Sequence, residues 1–203
     1  MPADGLFQQV PRHGNNGMTG RATRARPILS DFRKDCNRYS ESGTAMFLEP
    51  SLVAILSYRL GQASRQVRIP LLGPFLRFIH ILFHAVITVI VGIHLPRSAK
   101  IGAGLRIHHF GGIMINPHAI VGCNCTLRHN VCIGSRYGID DAPHVGDNVE
   151  FGVGAVVLGK IRIGNNVRVG ANAVVLTDIP DNSSAVGVPA RIVPRSAYAG
   201  SRL

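Results

Sequence analysis

Every sixth residue from position 115 to position 175 is apolar: Ile115, Val121, Leu127, Ile133, Ile139, Val145, Phe151, Val157, Ile163, Val169 and Val175. A shorter row at the same step, Leu95, Ile101 and Ile107, precedes it and is offset from it by two residues. Glycine follows the apolar residue at 102, 122, 134, 146, 152, 164 and 170. A period of six fits neither a helix nor a single strand. It is the period of a hexapeptide β-helix, in which each hexad forms one flat side and three hexads close a triangular coil. The aliphatic side chain points inward and stacks on its equivalents, while the Gly, Asn or Asp beside it supports the turn. The expected fold class is therefore an all-β solenoid.

Two places break the winding. The offset between the rows contains His108 and His109. The stretch from Ser135 to His144, SRYGIDDAPH, keeps the numerical register but is polar and rich in Gly, Asp and Pro, so it reads as a loop leaving the coil. Solenoids place function on such protrusions.

Ahead of the coil the pattern is helical. Leu52, Ile55, Leu56, Arg59 and Leu60 set one stripe, a short helix is expected within 29–49, and Pro70, Gly73 and Pro74 punctuate the chain. From Phe75 to Leu95 runs FLRFIHILFHAVITVIVGIHL. It carries no formal charge from Phe78 onward, a stretch near the minimum length for a membrane span. His80, His84 and His94 interrupt it. A helix buried against the rest of the protein is the expectation, with peripheral membrane contact the minor alternative. Residues 1–28 are polar and aperiodic and read as a disordered tail. The division is thus 1–28 tail, 29–94 helical segment, 95–193 β-helix and 194–203 C-terminal tail.

Composition narrows the picture further. The formal charge is +11, with 22 Lys and Arg against 11 Asp and Glu. The excess is spread evenly: 11 against 5 up to residue 96 and 11 against 6 after it. No basic run interleaves with aromatics, so nucleic acid is not an expected partner. A diffuse positive field suits a polyanionic ligand such as a nucleotide cofactor, or an anionic membrane. Cys36, Cys123, Cys125 and Cys132 form no CxxC pair and read as reduced, packed thiols. The polar start holds no apolar core of a signal peptide, which leaves a cytoplasmic expectation.

IGAGLRIHHFGGIMINPHAIVG (101–122) resembles the active-site coil of serine O-acetyltransferases. VGVPARIV (186–193) resembles the closing strand of hexapeptide acyltransferases, and LEPSLVAILSYRLGQ (48–62) resembles the helical lead-in of short serine-acetyltransferase-like proteins. The likeness covers about 46–194. It implies a left-handed parallel β-helix, a homotrimer, and acetyl-CoA as co-substrate in the groove between neighbouring coils, with no metal. It implies His109 as general base, taking the acceptor hydroxyl's proton during attack on the thioester. For the cofactor it implies Val153 and Ala171, one full coil of three hexads apart, Thr177 and Arg191 toward the nucleotide, and backbone amides near Gly134 for the oxyanion. The helical part is shorter than the one that joins two trimers in full-length serine acetyltransferases, so a trimer is the expected assembly.

Departures from the family fall around the acceptor. The position before the base is His108 instead of an aspartate, and His94 stands near the place of the carboxylate that orients the base. The Arg-His pair that grips the serine carboxylate falls on Asp141 and Ala142. His108, His94 and Asp141 are therefore the candidate acceptor-binding residues, and the acceptor is L-serine or a sugar unit of a surface polysaccharide. Two alternatives stand beside this reading: a metal enzyme resembling γ-class carbonic anhydrases, drawing on His118, His129 and His144, and a non-catalytic hexapeptide scaffold.

Overall fold

The computed structural model describes residues 28–40, 49–66 and 72–194. The expected tail over 1–28 falls outside these residues except for Ile28, as does the C-terminal tail beyond Pro194.

A parallel β-solenoid of about five turns forms the body. Its first face stacks β1 (Ile93–His94), β4 (Ile113–Ile115), β7 (Cys132–Gly134), β10 (Val156–Leu158) and β13 (Val174–Val175). The second stacks β2 (Lys100–Ile101), β5 (Ile120–Val121), β8 (His144–Val145) and β11 (Arg162–Ile163). The third stacks β3 (Arg106–His108), β6 (Thr126–Arg128), β9 (Glu150–Phe151), β12 (Arg168–Val169) and β14 (Ser183–Val186), and β15 (Arg191–Pro194) closes it antiparallel.

Strand register shows where the winding is interrupted. Val156 pairs with Val174, and His144 with Arg162, so each partner lies three hexads further along the chain. Ile93 pairs with Ile113 and Lys100 with Ile120, a step two positions longer, and the surplus sits in the histidine corner. Cys132 pairs with Val156 and Ile120 with His144, a step of four hexads, so the loop after Gly134 holds one hexad more than the coil needs. One whole repeat is inserted there, which corrects the apolar row. Ile139 falls on the period yet is 59% exposed, because the excursion preserves the phase on either side of it. The other ten positions from Ile115 to Val175 are buried, as are Leu95, Ile101 and Ile107.

A solenoid's first coil has no predecessor, so its backbone and apolar floor need a cap. α1 (Ile28–Ser40) and α2 (Pro50–Gln66) supply it with buried polar side chains. The Asp35 carboxylate accepts from the amides of Gly104 and Leu105, both at 2.8 Å, and pairs with Arg59 at 2.9 Å. Arg59 donates to the carbonyls of Ile101 and Gly102. The Tyr58 hydroxyl donates to Ala99 O and accepts from Ile101 N. The Tyr39 hydroxyl does the same for Ile107, two residues before His109.

α3 (Leu72–Val91) departs from expectation. One side packs on α2, where His80 Nε2 lies 2.8 Å from Ser57 O and His84 Nδ1 lies 3.0 Å from Ser57 Oγ. The remainder is not a core helix. Phe78 is 59% exposed, Val89 84% and Ile90 72%.

Candidate active site

The corner that joins the third face to the first repeats in each coil, at 109–112, 129–131, 152–155 and 170–173. Backbone bonds tie it into one edge: Asn130 N to Gly111 O at 3.0 Å, Gly154 N to His129 O at 3.1 Å, and Asn172 N to Val153 O at 2.7 Å. His109, His129, Val153 and Ala171 therefore lie along a single ridge.

The surplus of the first coil enters this ridge at its first corner. His109, Gly111 and Gly112 all have left-handed backbones, with φ of 61°, 109° and 66°. That conformation costs a side-chain-bearing residue about 1–3 kcal/mol, and it collects at functional positions. It projects His109 into solvent, with its ring edge-on to His129 at 5.9 Å between centroids. His129 is half-buried, and its Nδ1 is buried without a hydrogen-bond partner. Sequence reasoning weighed His129 only as a zinc ligand. The signal that could have found it was its distance from His109 along the chain, one coil plus the two-residue insertion.

His108 points away from this pair, in β3 beside Arg106 and in register with Arg128. Burial, then those two arginines, push its imidazole below the ordinary histidine value, so it is held neutral.

Two acceptor candidates have partners within the chain. Asp141 is a loop staple: its carboxylate accepts from the amides of Arg136, Tyr137 and Lys160. Three backbone amides sit on its two oxygens, and neighbouring Ala142 is buried. His94 faces α3, its ring 6.2 Å from that of His84. The residue stacked on the histidine corner is instead Gly92, whose carbonyl accepts from Ile113 N. Gly92 has φ 67°, and a Cβ there would meet Gly111 Cα at 3.3 Å, so the position takes glycine.

The cofactor candidates divide between edges. Val153 and Ala171 share the ridge with His109. Gly134 ends β7 and Thr177 follows β13, both toward the next edge, where the Gly134 carbonyl accepts from Gly159 N at 3.1 Å beside the protruding loop. Arg191 is exposed at the start of β15, paired with Val186. Between the two edges the outward side of the first face is apolar beyond His94 of the first coil. Met114, Cys132, Val156 and Val174 are aligned by register, and Met114 is 60% exposed. The outward rows of the other faces are mostly polar, with Lys100, His144 and Arg162 around Ile120 on one and an Arg168–Glu150 ion pair on the other. Burial raises the Cys132 thiol, so this bed carries no ready thiolate. Its chemistry fits an extended apolar arm leading to a projecting imidazole.

The three histidines weighed for zinc do not gather within the chain. His118 pairs with Asp140 of the loop at 2.6 Å, and His129 contacts His109. Among the described residues no three metal-ligating side chains come together.

Residues 142–177 match the family model for the bacterial transferase hexapeptide (six repeats). The chain is 40% identical over 114 residues to the WcaB acetyltransferase assigned to colanic acid biosynthesis in Escherichia coli, covering 55% of this chain and 70% of that one. It is 34% identical over 174 residues to a serine acetyltransferase of Synechococcus elongatus, covering 83% of this chain and 68% of that one. Its fold is similar to that of soybean serine acetyltransferase complexed with serine, with a TM-score of 0.71 at 30% identity over 82% of this chain and 69% of that one. It is also similar to a serine acetyltransferase in complex with CoA, with a TM-score of 0.69 at 28% identity over 82% of this chain and 69% of that one.

Proposed function

The chain belongs to the serine-acetyltransferase-like family of hexapeptide-repeat acyltransferases, and from that premise we propose that it transfers the acetyl group of acetyl-CoA to a sugar hydroxyl of a polysaccharide building unit, with His109 as general base. That it is an acetyl-CoA-dependent O-acetyltransferase on a left-handed β-helix follows from family membership. The acceptor, the base and the assembly are the proposal. The observation that carries it is the left-handed corner that holds His109 in solvent on the ridge shared by Val153 and Ala171.

In this reading acetyl-CoA lies with its pantetheine arm over Met114, Cys132 and Val156, and the thioester reaches His109. His109 takes the acceptor's proton as its oxygen attacks the thioester carbonyl. A C–O bond forms, the C–S bond breaks, and the proton passes to the departing thiolate to give CoA. The His129 ring holds the His109 ring in place, standing in for the carboxylate that Gly92 cannot provide. The enzyme works in the cytoplasm as a homotrimer, with the apolar first face turned toward a neighbouring subunit. His108, neutral and beside the base, shapes the acceptor pocket.

A sugar is favoured over L-serine because the carboxylate grip is absent. Asp141 is tied to backbone amides and Ala142 is buried, so neither receives an amino-acid carboxylate. The similarity to an acetyltransferase assigned to colanic acid biosynthesis points the same way.

The test is CoA release from acetyl-CoA with L-serine and with a panel of nucleotide sugars. Turnover with a sugar but not serine, reduced about a hundred- to ten-thousand-fold in His109→Ala, is the expected outcome. Turnover with serine alone overturns the acceptor, and full activity in His109→Ala overturns the mechanism.

A further inference from the structure

Between Pro50 and Ile139 the chain contains no Asp or Glu, against nine Lys and Arg. α3 lies inside this stretch. Phe75, Phe78, Leu82, Val86, Val89 and Ile90 recur at helical spacing along it, and all are exposed. Only 11% of the apolar window within Gly73–Val91 is buried, although its mean hydropathy is 2.0. A contiguous apolar face of this kind marks an interaction surface. Its rim is cationic: Arg77 of α3, Arg65 in the last turn of α2 and Arg97 after β1 converge with Ser98 on a cleft of about 510 Å³. A second cleft of about 650 Å³ continues from Arg97 and Ser98 along α3 past Thr88 and His84. Arg97 Nη1, Thr88 Oγ1 and His84 Nε2 are buried there without hydrogen-bond partners.

We propose that the exposed face of α3 docks the protein on an anionic lipid membrane, with the helix in the plane of the interface and a lipid phosphate seated among Arg65, Arg77 and Arg97. Apolar side chains entering the acyl boundary beside arginines at headgroup depth is the chemistry of an interfacial helix. The charge pattern selects this occupant over a second copy of the chain, because a second copy joined through the same face brings no carboxylate from 50–139 to meet these arginines. The packing selects an interfacial helix over a spanning one. α2 lies along α3 and carries the buried Arg59, paired with Asp35 of α1, so a span would draw that pair toward hydrocarbon.

The experiment is co-sedimentation of the full chain with phosphatidylcholine vesicles, with and without about 30% phosphatidylglycerol. The anionic vesicles are expected to retain at least about tenfold more protein, and an alkaline carbonate wash to release it. Arg65→Glu with Arg77→Glu should lower binding to the level of phosphatidylcholine alone. Val89→Ser with Ile90→Ser should remove it. All four side chains are exposed, so unchanged melting temperatures certify that the variants fold. Equal binding to both vesicle types overturns the proposal, and so does protein that resists the carbonate wash. Absence of vesicle binding overturns it as well, whether the protein elutes as a larger assembly covering this face or is stabilised by soluble glycerophosphate instead.

Discussion

At the scale of single residues the site is a ring held by another ring. His109 has an exposed side chain on a left-handed backbone, and its ring lies edge-on to that of His129. If His109 is the base as proposed, His129→Ala is expected to lower kcat roughly ten- to a hundredfold, because a small misplacement of a catalytic group is costly. KM for acetyl-CoA should stay unchanged. His129→Phe keeps an aromatic edge and should recover most of the loss, whereas a merely structural role would move stability and KM together. The motif singled out His109 as the candidate base. It did not show His129 as a partner, because the two-residue insertion breaks the three-hexad step of this coil and hides the stacking. It also misdirected His94: the motif puts a carboxylate near it, but the pleat turns that side chain to α3 and brings Gly92 to the corner.

At the scale of elements, the helices cap the coil through polar contacts that no apolar stripe reveals. Asp35 and Arg59 are fully buried, and Arg59 occupies a position that periodicity assigns to an apolar stripe. Burial raises the Asp35 carboxyl above its ordinary value, and Arg59 with the amides of Leu105 and Gly104 offsets this. Arg59→Leu leaves that carboxylate and two carbonyls without their partner, so it should cost about 3–5 kcal/mol and lower Tm by about 10 °C. A second signature comes from α3. Burial, then His80, His94 and Arg97, hold His84 below the ordinary histidine value. Burial also lowers His108. For both, the unfolded chain binds a proton at higher pH than the folded one does. Their contribution to stability is therefore complete above about pH 6.5 and is lost as pH falls toward the folded value. Tm measured on either side of that value, in neutral and in mildly acidic buffer, should drop by several degrees toward acid, and His84→Gln should flatten the drop.

At the scale of the whole molecule, the solenoid was legible because one side chain per hexad must face a narrow core. That demand leaves a mark at a fixed period whatever the rest of the coil does. The protrusion was legible only through its composition, since an excursion of one hexad leaves the period intact and even supplies an apolar Ile139 on beat. The same arithmetic allows a test of architecture against function. Gly134 is in register with Leu158, and Val145 with Ile163. Deleting the hexad from Arg136 to Asp141 joins Ser135 to Ala142 and gives this coil the same spacing from first-face strand to second as the next coil has. The shortened protein should keep its melting temperature within a few degrees, because solenoid stability rests on stacked neighbours and the removed residues are largely exposed. It should still bind acetyl-CoA on the ridge of Val153 and Ala171. It should lose acetyl transfer, because the protruding loop, at the other edge of the first face from His109, is where the acceptor is expected to be held. A deletion variant that fails to fold would show that the Asp141 staple onto Lys160 holds the coil itself. One that folds and still acetylates its acceptor would move the acceptor site off the loop and onto the corner of His108 and His109 alone.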